Sequence, residues 1–140
     1  MVKLEIGFLK QGLMKTLGAN LGDCGLGACE ITLPFSHKLT QQHGLFHGGV
    51  IATIADTCAG FAAYSLMSDN FQPLTVEFKI NFLAVANGNE LISRAQVLKP
   101  GFTISHVQSE VFCVKKGEEY LVAVALVTVK SSKSVVEIPE

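Results

Sequence analysis

The sequence is poor in charge. Of its 140 residues, 16% are Asp, Glu, Lys or Arg, and the formal net charge is −1. Lysines and arginines are scattered, and with a pI near 6.4 this excludes a basic nucleic-acid-binding surface. No internal repeat, low-complexity tract or linker interrupts the chain, so residues 1–140 are read as a single domain, long enough for one core. The opening stretch "MVKLEIGFLKQGLMKTLGAN" lacks the apolar h-region and cleavage site of a secretory signal, giving the expectation of a cytoplasmic protein. Cys24, Cys29, Cys58 and Cys113 form no CxxC and no Cys/His cluster of metal spacing. They are expected to be isolated reduced thiols with packing roles, with no metal and no redox cofactor.

Apolar sequence is what the chain has in surplus, at 49%. Either the interior is large or apolar surface is buried between subunits, and the second reading is favoured. The longest apolar run, Val50 to Met67, is of membrane-span length but carries Asp56, Thr53, Thr57 and Gly60 and has no basic flanks. An Asp at mid-bilayer costs about 2.5–3.5 kcal/mol, which argues against insertion.

Leu9, Leu13 and Leu17 mark one face of a short N-terminal helix ending near Gly18, and a first strand is expected from about Gly25 to Leu33, closed by Pro34. The alanines and unbroken length of the apolar run favour a helix. "TVEFKINF" alternates, with Thr75, Glu77, Lys79 and Asn81 on one face and Val76, Phe78, Ile80 and Phe82 on the other. Two strands flank Lys99-Pro100-Gly101, and a last one, "YLVAVALVTV", follows Lys115-Lys116-Gly117-Glu118. Its nearly all-apolar character predicts burial on both faces, and the tail after Lys130 reads as loose. A helix apolar on all sides must be enclosed. The expectation is an α+β architecture in which a curved antiparallel sheet of four strands, with a further strand before it, wraps a long central helix: the hotdog fold.

The segment "QQHGLFHGGVIATIAD" resembles the signature of hotdog-fold acyl-CoA thioesterases of the phenylacetate-degradation PaaI type. Their pattern is a polar amide residue, then G-x-x-H-G-G, then an acidic residue nine positions after the histidine. Gly44, His47, Gly48, Gly49 and Asp56 match it, and "TVEFKINFLAVANG" resembles the strand that follows. The family often has asparagine where Gln41 stands, with Gln42 beside it. The resemblance implies a thioester hydrolase without metal or redox cofactor, coenzyme A being part of the substrate. It also implies a homodimer with shared active sites, often paired again into a tetramer. It places His47 at the helix start, orienting the loop rather than transferring protons, and gives Thr75 a counterpart that is often a hydroxyl residue near the attacking water.

The residue chemistry points the same way. First-turn N–H groups have no intrahelical partners, so Gly48 and Gly49 at a helix start present donors to a thioester oxyanion, aided by the helix dipole. Asp56, set among Ile54, Ala55, Cys58 and Ala59, is the expected base or nucleophile: burial disfavours its charged form, which suits proton abstraction near neutrality. Gln41 is a candidate for positioning water or the carbonyl. Gln42, Asn81, Lys99, Lys115 and Lys116 are candidates for binding substrate or the phosphates of coenzyme A. His37, His43 and His106 read as ordinary polar residues. Two other functions fit the same fold, an acyl-thioester hydratase or dehydratase and a non-catalytic acyl-CoA-binding protein. The His-Gly-Gly loop lacks the prolines and His–acid pairing expected of the first, and Asp56 argues against the second.

Overall fold

The structure, a computed structural model, describes residues 1–133. Two short helices, α1 (Val2–Leu9) and α2 (Gly12–Leu17), precede a hairpin of β1 (Asn20–Gly25) and β2 (Ala28–Pro34). The long helix α3 (Gly48–Tyr64) follows, then β3 (Gln72–Phe82), β4 (Glu90–Lys99), β5 (Ile104–Lys115) and β6 (Glu118–Ser132). The six strands form one sheet in the order β1-β2-β4-β5-β6-β3, every neighbouring pair antiparallel. This is the expected α+β hotdog architecture, with α3 packed in the hollow of the sheet.

Helix α3 starts where its sequence can cap it. His47 is extended (φ −67°, ψ 136°), and its Nδ1 accepts from the Gly49 N–H at 2.7 Å. The face turned to the sheet carries Ile51, Ile54, Ala55, Cys58, Ala59 and Ala62, all buried, against Ile31, Leu33, Leu91, Val111 and Val129. A fully buried Ile or Leu contributes roughly 1.5–3 kcal/mol, so this face holds the helix in place. The helix is not enclosed, however. Ala52, Thr53, Asp56, Thr57 and Gly60 are only partly buried, because the sheet covers one side of α3 and leaves the other open.

Five further expectations are corrected. The single strand over Gly25–Leu33 is a hairpin, turned at Leu26 and Gly27, both at positive φ (53° and 83°). That geometry suits the right-handed twist of the strands, and Leu is an unusual residue to adopt it. The N-terminal helix is two helices broken at Lys10–Gln11, and Leu4, Phe8 and Met14 are its buried residues, while Leu9 and Leu13 point outward. Cys24 and Cys29 are not isolated thiols: they face each other across the hairpin, Cα atoms 4.0 Å apart, and form a disulfide. Finally, β6 buries one face only. Val127 and Val129 are inside and Leu126 is 54% exposed, since among the described residues no second layer covers the outer side of the sheet. Strand β6 continues to Ser132, so the start of the expected loose tail is strand, and residues 134–140 lie outside the described residues.

Among the described residues no helix is long and apolar enough to cross a membrane.

Candidate active site

Asp56 sits in the middle of α3 on its open side, and Thr75 Oγ1 donates to Asp56 Oδ1 at 2.6 Å. The alternation of β3 put Thr75 on the face of Glu77, Lys79 and Asn81, away from Phe78. A β-bulge between Thr75 and Glu77 reverses this. Thr75 pairs with Val129 and Phe78 with Val127, both inward positions, so Thr75, Phe78, Ile80 and Phe82 share the helix-facing side. Glu77 and Asn81 then point outward, Glu77 accepting from Thr128 Oγ1. Asn81 is therefore on the wrong face of the sheet to reach Asp56.

An open depression of about 570 Å³ lies over this side of α3. Its lining includes Gly49, Thr53, Asp56, Thr57, Gly60 and Phe61 from the helix, Pro73, Thr75 and Phe78 from β3, and Gln11 and Leu13 from the N-terminal corner. Asp56 is the only formally charged residue among them. Sequence reasoning missed Gln11, Leu13, Pro73 and Phe61, because only tertiary docking brings the N-terminal helices over α3. That docking rests on Phe8 packing edge-on against Phe61, with ring centroids 5.7 Å apart, and on Lys3 lying over the Tyr64 ring.

The helix start differs from expectation in one donor. The Gly49 N–H is taken by His47 Nδ1, which makes Nδ1 an acceptor and puts the ring proton on Nε2. The carbonyl of His47 accepts from Val50 and Ile51. Among the described residues nothing accepts from the Gly48 N–H, so this is the first-turn donor left open. Phe82 abuts this point: a Cβ on Gly48 would lie 3.3 Å from its ring.

Gln41 does not extend its amide oxygen toward α3. Oε1 accepts from the backbone N–H of His43 and of Leu45, closing a small loop in which Gly44 takes φ 78°. Gln42 lies exposed beside His43. The three lysines are split between opposite ends of the sheet. Lys99 pairs with His106 at the end where α3 finishes, and Lys115 and Lys116 form the β5–β6 turn at the end where it begins. They cannot all meet one ligand on one chain.

Two other clusters are spoken for. On the outer face of the sheet a depression of about 470 Å³ surrounds Glu30, Arg94 and Gln108. There Arg94 binds Glu119 with two N–H groups and Glu30 with a third, holding the Glu119 carboxyl below the usual range. Beneath α3, Cys58 Sγ donates to the carbonyls of Cys29 and Ser93, and burial pushes its thiol up to about 12. Among the described residues no three His, Cys, Asp or Glu side chains gather as metal ligands would.

A hydrogen-bonded carboxylate beside an open depression, with an unpaired helix-start amide on the same helix, is equipped to activate water and to hold a developing oxyanion. Comparison with known proteins agrees in kind. The pattern of the Thioesterase superfamily matches residues 43–120. A thioesterase family protein from Silicibacter pomeroyi is 38% identical, superposes with a TM-score of 0.92, and the match covers 94% of this chain and 97% of that one. The PaaI protein of Escherichia coli shares the fold, with a TM-score of 0.79 at 20% identity over 90% of this chain and 88% of that one. A provisionally named esterase of Halobacterium salinarum is 32% identical over 66% of this chain. The aligned stretch spans 64% of that archaeal protein's own length.

Proposed function

The chain belongs to the thioesterase superfamily, and we propose that it hydrolyses acyl- or aryl-CoA thioesters to the free acid and coenzyme A, with Asp56 as the base or nucleophile. The observation that carries this reading is the Thr75–Asp56 hydrogen bond at 2.6 Å, which fixes one carboxylate oxygen beside the depression, the other having no partner among the described residues. Asp56 removes a proton from water as it adds to the thioester carbonyl, or adds directly to give an anhydride that water then opens. The Gly48 N–H, at the positive end of the α3 dipole, meets the oxyanion. The thiolate of coenzyme A leaves and takes up a proton. Backbone donor and carboxylate suffice for each step, so the reading calls for no metal or redox cofactor. His47 holds the helix start in shape, Gln41 holds the preceding loop, and Lys115 and Lys116 are the lysines placed to meet coenzyme A phosphates near the helix start.

One chain cannot aim both groups at one carbonyl. Asp56 follows Gly48 by eight residues of unbroken helix, which is about 12 Å along the axis and about 80° around it. A base must work within about 3 Å of the proton it takes, or through one water. A twofold axis solves this by bringing the helix start of one copy to Asp56 of the other. The edge strand β3 offers the surface for it: Val76, Phe78 and Phe82 are 58%, 39% and 53% exposed on a strand whose outer edge pairs with nothing among the described residues. The proposed unit is thus a homodimer with two shared sites, able to pair into a tetramer.

The test is a panel of acyl- and aryl-CoA thioesters followed by free-thiol release, with wild type beside Asp56→Asn. Turnover by wild type that drops about 10²–10⁴-fold in the folded variant is the expected result. Binding without turnover would identify a carrier instead, and equal rates for the two proteins would remove Asp56 from the chemistry.

A further inference from the structure

Gly60 stands four residues beyond Asp56 on the open side of α3, in the interior of a 17-residue helix. Glycine is the poorest helix former after proline. Within a helix it ordinarily answers a close approach of something else. Among the described residues there is no such approach: a Cβ built on Gly60 meets nothing within 4 Å. The Cβ positions of Gly7 and Gly48, by contrast, lie against Phe61 and Phe82. The space in front of Gly60 belongs to the depression that holds Asp56. The same depression is lined by Phe61, which is buried, and by Gln11 and Leu13 of the N-terminal corner, Leu13 being 55% exposed.

We propose that Gly60 and Leu13 set the size of the acyl group: Gly60 leaves open the floor over which the acyl portion lies, and Leu13 stands at its end. The inference rests on the thioesterase reading above. With the carbonyl at Asp56, the acyl portion runs toward the C-terminal half of the same helix. One turn, about 6 Å, separates Asp56 from Gly60 before the end wall is reached. That length suits one aromatic ring or a short-to-medium alkyl chain, held between Phe61, Pro73 and Leu13, with the Gln11 amide at the rim for a polar substituent. A long fatty acyl chain would have to pass Leu13.

The experiment measures kcat/KM over a series of acyl-CoA thioesters from acetyl to dodecanoyl plus benzoyl and phenylacetyl, for wild type, Gly60→Ala, Gly60→Val and Leu13→Ala. Oligomeric state and Tm are recorded for each. Gly60→Ala should raise Tm by about 3 °C, since it removes only a helix penalty. Gly60→Val should lower kcat/KM for the largest accepted substrates about tenfold or more while leaving the smallest within about twofold. Leu13→Ala should extend the series to longer chains without loss of Tm. A Gly60→Val profile parallel to wild type would overturn the inference while the hydrolase reading stands. Loss of the oligomer or a fall in Tm in Gly60→Ala would overturn it too, assigning the glycine to helix packing between copies. A wild type inactive on every thioester would overturn both.

Discussion

Replacing Gly48 with proline deletes one N–H at the first position of α3 and leaves the rest of the helix ladder intact. Proline suits that position, because the N–H there has no intrahelical partner and φ is already helical. The residue before a proline must be extended, and His47 already is, at φ −67° and ψ 136°. The new Cβ meets the Phe82 ring at 3.3 Å, a contact that Gly48→Ala creates as well. Stability should therefore change by less than about 1 kcal/mol, or about 3 °C in Tm. If the Gly48 amide holds the oxyanion, kcat should fall roughly 10²–10³-fold, the loss expected for one such donor. KM should stay near wild type, because the ground-state carbonyl uses the donor weakly. The assay is thiol release on the best substrate of the panel, with Tm measured in parallel. Gly48→Ala is the control, as it adds the same Cβ but keeps the N–H, and it should retain activity within a few-fold. Gly48→Pro working at the wild-type kcat would refute the donor assignment. Gly48→Ala losing as much as Gly48→Pro would attribute the effect to crowding.

Three other outcomes follow from the same geometry. Thr75→Val keeps shape but removes the O–H bonded to Asp56 at 2.6 Å. A bond to a charged group contributes about 1.5–3 kcal/mol to the fold, so Tm should fall by a few degrees. Because the bond also aims the carboxylate, kcat should fall about tenfold or more, with Thr75→Ser restoring both, and an unchanged kcat would release Thr75 from the site. Gly49→Ala places a Cβ 3.0 Å from His47 Nδ1 and should break the cap. That costs about 1 kcal/mol, or about 3 °C, with a smaller loss of kcat than Gly48→Pro, and an unaltered Tm would contradict the cap. Burial pushes the Cys58 thiol from its ordinary 9.0 up to about 12. The folded chain therefore holds this proton more tightly than the unfolded one, and stability present below pH 9 is lost as pH rises toward 12. Cys58→Ala should flatten that alkaline decline in Tm, and an identical slope would assign the decline to other groups.

What sequence could reveal was whatever is written locally. Helix α3 announces itself through its alanine-rich run and His-Gly-Gly start, and β4 to β6 through short connections with turn chemistry. Asp56 stands out as the lone charge in that apolar run, and His47 through the resemblance of the His-Gly-Gly segment to the family's signature. The hairpin of β1 and β2 was hidden because its turn puts Leu26 at positive φ, a conformation leucine does not advertise. With the hairpin went the pairing of Cys24 with Cys29, which only register reveals. The bulge in β3 inverted a clean alternation, so Thr75 read as a companion of Asn81 when it is a companion of Phe78. Strict period-two reasoning has no means of seeing one extra residue. Gln11 and Leu13 carried no local signal, since their place beside Asp56 depends on Phe8 and Lys3 docking on the far end of α3.

The central claim, that Gly48 of one copy and Asp56 of another act on one carbonyl, is tested most directly by mixing two inactive proteins. Asp56→Asn and Gly48→Pro are combined in equal amounts, dissociated, reassociated, and assayed for thiol release. Random pairing makes half of the dimers mixed, and each mixed dimer holds one site with both groups intact, so activity should return to about one quarter of wild type. Mixed dimers shown to have formed, yet no more active than their parents, would contradict the account.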